Sequence, residues 1–218
     1  MKTLPSKAKI SGLTLVEVLV VIVIVAVLVA MLLPARVHSG RAPQTACQQN
    51  LKQIDISFLI YADDNSGKFP MQVSVTNGGT REFIFSGHAF QHFQKMKDYI
   101  HDPRYLICPS DTNRQAAVSF EALSNLNISY FLNADCSPTN NPTQFLLAGD
   151  RNLTLNRLPV KSGLLVATTN QNVDWSAEVH LRGGNLAFAD GHIEWNRTGG
   201  FKAIIQEQPL ATNRLCIP

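Results

Sequence analysis

Hydrophobic and polar positions divide the chain into one long apolar run and a mixed remainder. The run from Leu13 to Leu33 spans 21 residues and is apolar except for Thr14 and Glu17. At about 1.5 Å per residue, a helix of this length measures roughly 31 Å, which matches the hydrocarbon thickness of a bilayer. We therefore expect a membrane-spanning helix at residues 13–34, preceded by a basic leader at residues 1–12.

Between residues 35 and 67, the pattern predicts a polar linker followed by an amphipathic stem helix. Apolar residues recur there at spacings that place them on one helical face. They are Cys47, Leu51, Ile54, Phe58 and Tyr61. The helix should end before Gly67, because Gly67 or Asn65 can adopt the left-handed conformation that stops helices. The remaining residues, 68–218, are enough for one globular head with its own core.

Near the end of the chain, the sequence predicts a β-hairpin at about residues 184–197. Two alternating segments, 185–189 and 192–196, flank Asp190 and Gly191. An Asp-Gly pair in this setting is typical of a two-residue type I′ turn.

This turn fixes a register in which four large apolar residues share one face of the hairpin. Phe188 faces Ile193, Leu186 faces Trp195, and His192 falls on the opposite, polar face. A hairpin with one apolar face must pack on another element, and the stem helix is the obvious candidate. We therefore predict an α+β fold in which the long N-terminal helix continues into a stem that packs on a C-terminal antiparallel sheet.

The excess of positive charge lies at the N-terminus. The formal net charge is +3, and the leader lysines Lys2, Lys7 and Lys9 account for the excess. A head this close to neutral lacks the basic surface that nucleic-acid binding requires, so we expect no nucleic-acid partner. Basic residues beside a membrane span stay in the cytoplasm, which places the head outside the cytoplasmic membrane.

The four cysteines, Cys47, Cys108, Cys136 and Cys216, are far apart in the sequence. They form no C-x-x-C pair of the kind found in zinc or thioredoxin-like sites. In an oxidising compartment they could form up to two disulfides, for which three full pairings exist. The alternative is that they are reduced and buried as small apolar residues.

No catalytic motif is present in the sequence, and we expect neither an enzyme nor a metal site. Asp150, His180, Asp190 and His192 carry metal-type ligands, but turn geometry already explains Asp190, and His192 falls on a polar strand face. We expect no cofactor. The alternative left open is calcium, to which Asp63, Asp64 or the loop between Cys136 and Thr143 could contribute oxygen ligands.

The order of residues from Gly12 to Glu17, GLTLVE, resembles the processing site of type IV prepilins and type II secretion pseudopilins. The commonest pattern of that family has Phe where this chain has Leu13, a substitution that the pattern tolerates. Pro34 also falls where many pilins carry a helix-kinking proline. The resemblance implies that a prepilin peptidase cuts after Gly12 and methylates the new N-terminus at Leu13.

The same resemblance implies a pilin-like fold and a mechanical function. Glu17 would pair with the N-terminal ammonium of a neighbouring subunit, which couples burial of both charges to filament assembly. The expected partners are the prepilin peptidase, other pilin or pseudopilin subunits, a membrane platform protein and an assembly ATPase. The expected location is the bacterial cytoplasmic membrane, crossed once, with a cytoplasmic N-terminus and a periplasmic or extracellular head.

Three shorter segments also resemble bacterial proteins with prepilin-type leaders. His180, followed after nine residues by Asp190 and Gly191, matches their C-terminal H-X9-DG signature, which we read as a structural turn motif. Residues 108–111 (CPSD) and 148–152 (AGDRN) look like recurrent segments of the same group.

Two other interpretations of the N-terminal segment account for fewer of its features. A cleaved secretory signal has a shorter apolar core and a small-residue cleavage site, and a plain membrane anchor leaves Glu17 unexplained. The alternative function is a membrane-anchored surface or periplasmic binding domain, exported with a prepilin-type leader. Trp175, Trp195 and Tyr130 would then contact a ligand such as a carbohydrate.

Overall fold

The computed structural model describes residues 14–32, 42–138, 142–181 and 183–218. The chain divides into two units, Met1–Ser39 and Gly40–Pro218. The predicted processing residues Gly12 and Leu13 lie outside the described residues, as does Pro34.

In the first unit, the described residues form one helix, α1 (Leu15–Leu32). Its only charged side chain is Glu17, and the side chains from Leu15 to Ala30 are exposed. Among the helices of the described segments, none combines the length and apolarity that crossing a membrane requires.

The second unit begins with the predicted stem helix, α2 (Ala42–Asp64). All five residues of its predicted apolar face are at most 2% exposed, which confirms the periodicity argument. The helix ends as expected: Gly67 has φ +70° and its N–H donates to the Ala62 carbonyl at 2.8 Å. Only a residue tolerant of positive φ closes a helix in this way.

Short helices connect the stem to the sheet. They are three 3₁₀ turns (Pro70–Gln72, Val75–Asn77 and Arg81–Ser86), then α3 (Ala89–Lys95) and α4 (Lys97–Ile100), then two more 3₁₀ turns (Pro103–Leu106 and Asn125–Asn127). A further helix, α5 (Phe201–Glu207), lies between the last two strands of the chain.

The sheets are antiparallel throughout. The larger sheet has the order β5 (Gly163–Thr168), β9 (Thr212–Ile217), β1 (Tyr130–Asn133), β2 (Leu146–Asp150), β7 (Gly183–Phe188) and β8 (Ile193–Arg197). The smaller has the order β4 (Leu158–Pro159), β3 (Leu153–Leu155) and β6 (Val173–Trp175). The predicted α+β class, with a helix packed on an antiparallel sheet, is confirmed.

Both faces of the larger sheet are buried at its central strands β1, β2 and β7. The stem α2 covers one face, where Tyr130, Leu132 and Ala187 join its core. The smaller sheet and α5 cover the other face, where Phe131 and Leu186 pack with Trp175 and Phe201. Alternate residues of one strand therefore enter different cores.

The hairpin β7–β8 forms where the sequence predicts it, but the predicted register is wrong by one residue. Ala187 pairs with Ile193 and Asn185 with Trp195. The Phe188 N–H donates to the His192 carbonyl at 3.1 Å, so the loop contains three residues and not two. Gly191 closes it with φ +95°, as in three-residue hairpins that end in a left-handed residue.

A slip of one residue moves side chains to the opposite face of a strand. Leu186 and Phe188 thus enter the core below the smaller sheet, whereas Ile193 packs on the stem side. The four residues that we placed on one face are divided between two.

Candidate functional site

At the start of α1, Thr14 and Glu17 bond to each other reciprocally. Glu17 Oε2 accepts from the Thr14 N–H at 2.7 Å and from its hydroxyl at 2.9 Å. Thr14 Oγ1 accepts from the Glu17 N–H at 3.3 Å. This is a capping box, which satisfies two N–H groups that the first turn of a helix leaves free. The carboxylate expected to take part in assembly therefore lies exposed at the helix start.

In the head, a disulfide joins Cys47 of α2 to Cys108, with 4.7 Å between the Cα atoms. It fastens the beginning of the stem to the segment that precedes the sheet. Cys136 and Cys216 are free and buried. Cys216 Sγ lies 3.8 Å from Nε2 of His92, which is also buried.

His180 lies beside this disulfide. Its Nε2 is 3.4 Å from Cys108 Sγ, 3.4 Å from Asp150 Oδ2 and 3.4 Å from Asn185 Nδ2. The Trp195 ring contacts the imidazole edge-to-face, with 5.5 Å between centroids. A single ring nitrogen therefore faces a sulfur, a carboxylate and an amide inside the protein.

Asp150, the last residue of β2, is fully buried. Its Oδ2 accepts from the Asn185 backbone N–H at 2.6 Å and from Asn185 Nδ2 at 2.9 Å, while Oδ1 has no hydrogen-bond partner among the described residues. Burial raises the pKa of Asp150 to about 7 and lowers the pKa of His180. Both shifts favour the neutral forms, so this contact is not a strong ion pair.

An ion-pair network borders the cluster. Arg151 Nε donates to Asp111 Oδ2 at 2.7 Å, and Nη2 donates to Asp111 Oδ1 at 2.9 Å. Nη2 also donates to Glu178 Oε1 at 2.7 Å, and this bond lowers the pKa of Glu178. The segments 108–111 and 148–152 thus meet His180 at one place in the fold.

The other end of the H-X9-DG segment lies on the stem. The Lys52 ammonium donates to the Gly191 carbonyl, and a Cβ at Gly191 would lie 3.3 Å from Leu59 Cδ1. Asp190 Oδ1 accepts from the His192 N–H at 3.1 Å. Glycine is required here by the positive φ and by the close approach of the turn to α2.

The four residues with metal-type ligands that the sequence analysis considered do not converge on one site; they are His180, Asp150, Asp190 and His192. His180 and Asp150 meet, but Asp190 and His192 lie at the hairpin turn beyond Phe188, which is three residues, or roughly 10 Å of strand, from Asn185. The His192 ring stacks on Phe188 with 4.2 Å between centroids.

A cavity of about 650 Å³ adjoins His180, lined by Gln44, Ser110, Trp195 and Arg197 among others. Trp195 is half-buried there. The other two aromatics proposed as ligand contacts cannot serve, because Trp175 and Tyr130 are buried. Trp175 Nε1 donates to Asn196 Oδ1 at 2.9 Å, and the Tyr130 hydroxyl donates to the Cys47 carbonyl at 3.2 Å.

The described residues proposed as calcium ligands do not form a defined ligand set. Asp63 and Asp64 are exposed at the end of α2, where Asp64 Oδ2 accepts from the Tyr99 hydroxyl at 3.2 Å. The loop from Cys136 to Thr143 is described only in part. Within the described segments, the group of metal-type side chains that converges is Cys47, Cys108 and His180.

Sequence reasoning missed this convergence because the two cysteines are 61 residues apart. One indication of this convergence was present in the sequence: residues 108–111 and His180 both belong to segments that resemble the same group of bacterial proteins.

Residues 7–33 match the family model of the prokaryotic N-terminal methylation motif. No curated protein and no solved structure matches the chain. The match covers the end of the leader and α1 and does not extend to the head. The N-terminal segment is therefore of the prepilin type, the kind carried by precursors of type IV pilins and pseudopilins.

Proposed function

We propose that this chain is a pilin-like structural subunit, a pseudopilin of a type II secretion system that assembles into a periplasm-spanning filament through its N-terminal helix. The methylation motif at residues 7–33 carries this proposal. A prepilin peptidase cuts after Gly12 and methylates Leu13, and the other expected partners are fellow subunits, a platform protein and an assembly ATPase.

The surface of α1 supports this assignment. Its side chains from Leu15 to Ala30 are exposed, and all but Glu17 are apolar. Exposed apolar area of this extent needs lipid or the equivalent helices of other subunits to cover it. We therefore place residues 13–34 in the cytoplasmic membrane before assembly and in a helical bundle afterwards.

The disulfide supports the placement of the head. Disulfides persist in the periplasm and outside the cell and are rare in the cytosol. The Cys47–Cys108 bond thus fits a head on the outer side of the cytoplasmic membrane, with the lysine-rich leader on the inner side. No reaction is assigned to the head.

N-terminal sequencing and intact mass of the membrane-purified protein test the proposal. We expect a mature N-terminus at Leu13 carrying one methyl group. Gly12→Val should leave an uncleaved chain, because it adds bulk at the scissile position. A native protein that keeps Met1, or one that begins beyond Ala35, would rule out prepilin-type processing.

The second candidate is a dispersed surface or periplasmic binding domain that uses the same leader for export. The cavity beside Trp195 and His180 favours it. Chemical cross-linking in intact cells separates the two. A ladder of cross-linked subunits that includes the platform protein supports the filament, whereas monomers alone support the dispersed domain.

A further inference from the structure

Three atoms of a type that binds metals lie close together in the Cys47–Cys108 disulfide and His180. The two Sγ atoms and His180 Nε2 all lie within 4.8 Å of one another, and all three residues are buried. Two thiolates and one imidazole are a common part of tetrahedral zinc sites. The arrangement comes from three distant parts of the chain: the stem, the segment before the sheet and the approach to β7.

Asp150 is the candidate for a fourth ligand, although it is not among the three residues whose ligand atoms all lie within 4.8 Å of one another. Asp150 Oδ2 is 3.4 Å from His180 Nε2, and Oδ1 of the same fully buried carboxyl has no hydrogen-bond partner among the described residues. Ligand atoms bound to one tetrahedral zinc ion at about 2.0–2.3 Å lie about 3.3–3.8 Å apart. The contacts of His180 with Cys108 and Asp150, both 3.4 Å, have this spacing.

We propose that Cys47, Cys108, His180 and Asp150 bind one zinc ion when the disulfide is reduced. Zinc and the disulfide are then alternative crosslinks, and each joins the beginning of the stem at Cys47 to the segment before the sheet at Cys108. Asn185 orients the Asp150 carboxylate in both states through its two hydrogen bonds, as outer-shell partners of metal ligands do.

The exchange between the two states balances as thiol–disulfide chemistry. A chain is made with both cysteines reduced, and their thiols lose two protons when they bind zinc. A protein disulfide of the oxidant class then accepts two electrons from the two zinc-bound thiolates and two protons from the solvent. The Cys47–Cys108 bond forms, the oxidant becomes a dithiol, and Zn²⁺ leaves unchanged in oxidation state.

Cobalt(II) is a direct probe, because it replaces zinc in tetrahedral sites and absorbs light. The full-length protein in detergent is reduced with a phosphine and titrated with cobalt(II). We expect thiolate-to-cobalt charge-transfer bands that saturate at one ion per chain and disappear when zinc is added. The oxidised protein should show none. A folded, reduced chain without these bands would overturn the proposal.

Folding is followed by circular dichroism in the same samples. If reduction unfolds the head, one equivalent of zinc should restore the native spectrum. A reduced, unfolded chain that zinc fails to refold would also overturn the proposal.

Variants then assign the ligands. Cys108→Ser and His180→Gln should each weaken cobalt binding at least tenfold, as should Asp150→Asn. Cys216→Ala is the matched control, because Cys216 is also buried beside a histidine, His92, but lacks a second sulfur there. Its binding should equal that of the parent. Bands lost in Cys216→Ala and kept in Cys108→Ser would place the ion elsewhere, and full affinity in Asp150→Asn would remove Asp150 from the ligand set.

Discussion

Asp55 lies on the buried face of α2, beneath the hairpin turn. Neither of its oxygens receives a hydrogen bond from the described residues, and the Lys52 ammonium is 3.9 Å from Oδ2. Burial raises the pKa of Asp55 to about 7; Lys52 opposes this rise and Asp190 adds to it. The folded head thus favours the protonated carboxyl, whereas the unfolded chain ionises it near pH 4.

The sign of the pH dependence follows from this difference. Since the pKa is higher in the folded state, stability is fully present below about pH 4 and is lost as the pH rises to about 7. Asp55→Asn removes the titration. We therefore expect this variant to gain stability relative to the parent from pH 5 to pH 8, by an amount on the order of a few kcal/mol.

Denaturant unfolding of the full-length protein in detergent at both pH values measures this gain. Asp63→Asn, an exposed substitution on the same helix, is the control and should behave alike at pH 5 and pH 8. An Asp55→Asn variant whose stability relative to the parent does not change with pH would mean that Asp55 is ionised and solvated in the folded head.

At the scale of single residues, the sequence predicts burial on the stem correctly because a helix repeats every 3.6 residues. That period placed Cys47, Leu51 and Phe58 in the core. The same argument missed Asp55, which is buried because the turn of a distant hairpin covers it. The meeting of His180 with Cys108 was missed for a similar reason, since only the folded sheet brings them together.

Among the elements, the hairpin shows how a local rule fails. Asp190 and Gly191 correctly marked the turn, but β7 is buried on both faces, so burial does not distinguish its two sets of alternating residues. Alternation then cannot fix the register, and the choice between a two-residue and a three-residue loop depends on how the turn packs on α2. The Lys52 contact with the Gly191 carbonyl belongs to the three-residue arrangement.

The two tryptophans lie in different surroundings, although we expected Trp195 to belong to the buried face of the hairpin. Trp175 is 4% exposed and packs on Phe201 with 4.9 Å between ring centroids, whereas Trp195 is half-buried at the edge of a cavity. We expect Trp175→Ala to cost about 3–5 kcal/mol of unfolding free energy. Trp195→Ala should cost roughly half as much, since less apolar area leaves the protein interior.

Urea unfolding of the two variants and the parent checks this order. His192→Ala serves as a third comparison, because its ring stacks on Phe188 at the exposed side of the hairpin, and we expect a loss of about 1 kcal/mol or less. A greater loss for Trp195→Ala than for Trp175→Ala would favour the two-residue turn and its single apolar face.

Across the whole head, the disulfide is the longest-range covalent constraint in the described segments. It joins residues 61 apart, and closing a loop of that size removes chain entropy from the unfolded state worth about 4 kcal/mol. The double variant Cys47→Ala, Cys108→Ala should lose about this amount under oxidising, metal-free conditions. Cys216→Ala, which removes a buried free thiol, should lose only about 1 kcal/mol. Equal losses in thermal or urea unfolding would show that the crosslink contributes little.

At the scale of the assembled protein, Glu17 has two separable properties: a cap for α1 and a negative charge. The reciprocal bonds with Thr14 satisfy the helix start, and an amide at position 17 could still accept from the Thr14 N–H. Thr14→Val removes the hydroxyl but leaves the charge.

If Glu17 pairs with the ammonium of a neighbouring subunit, only the charge matters for assembly. Glu17→Gln and Glu17→Val should then both be inserted and cleaved normally, and both should fail to form cross-linked multimers in intact cells. Thr14→Val should assemble nearly as well as the parent and lose only the cap, worth about 1 kcal/mol. Assembly by Glu17→Gln together with failure of Thr14→Val would show that the cap, and not the charge, is what the filament requires.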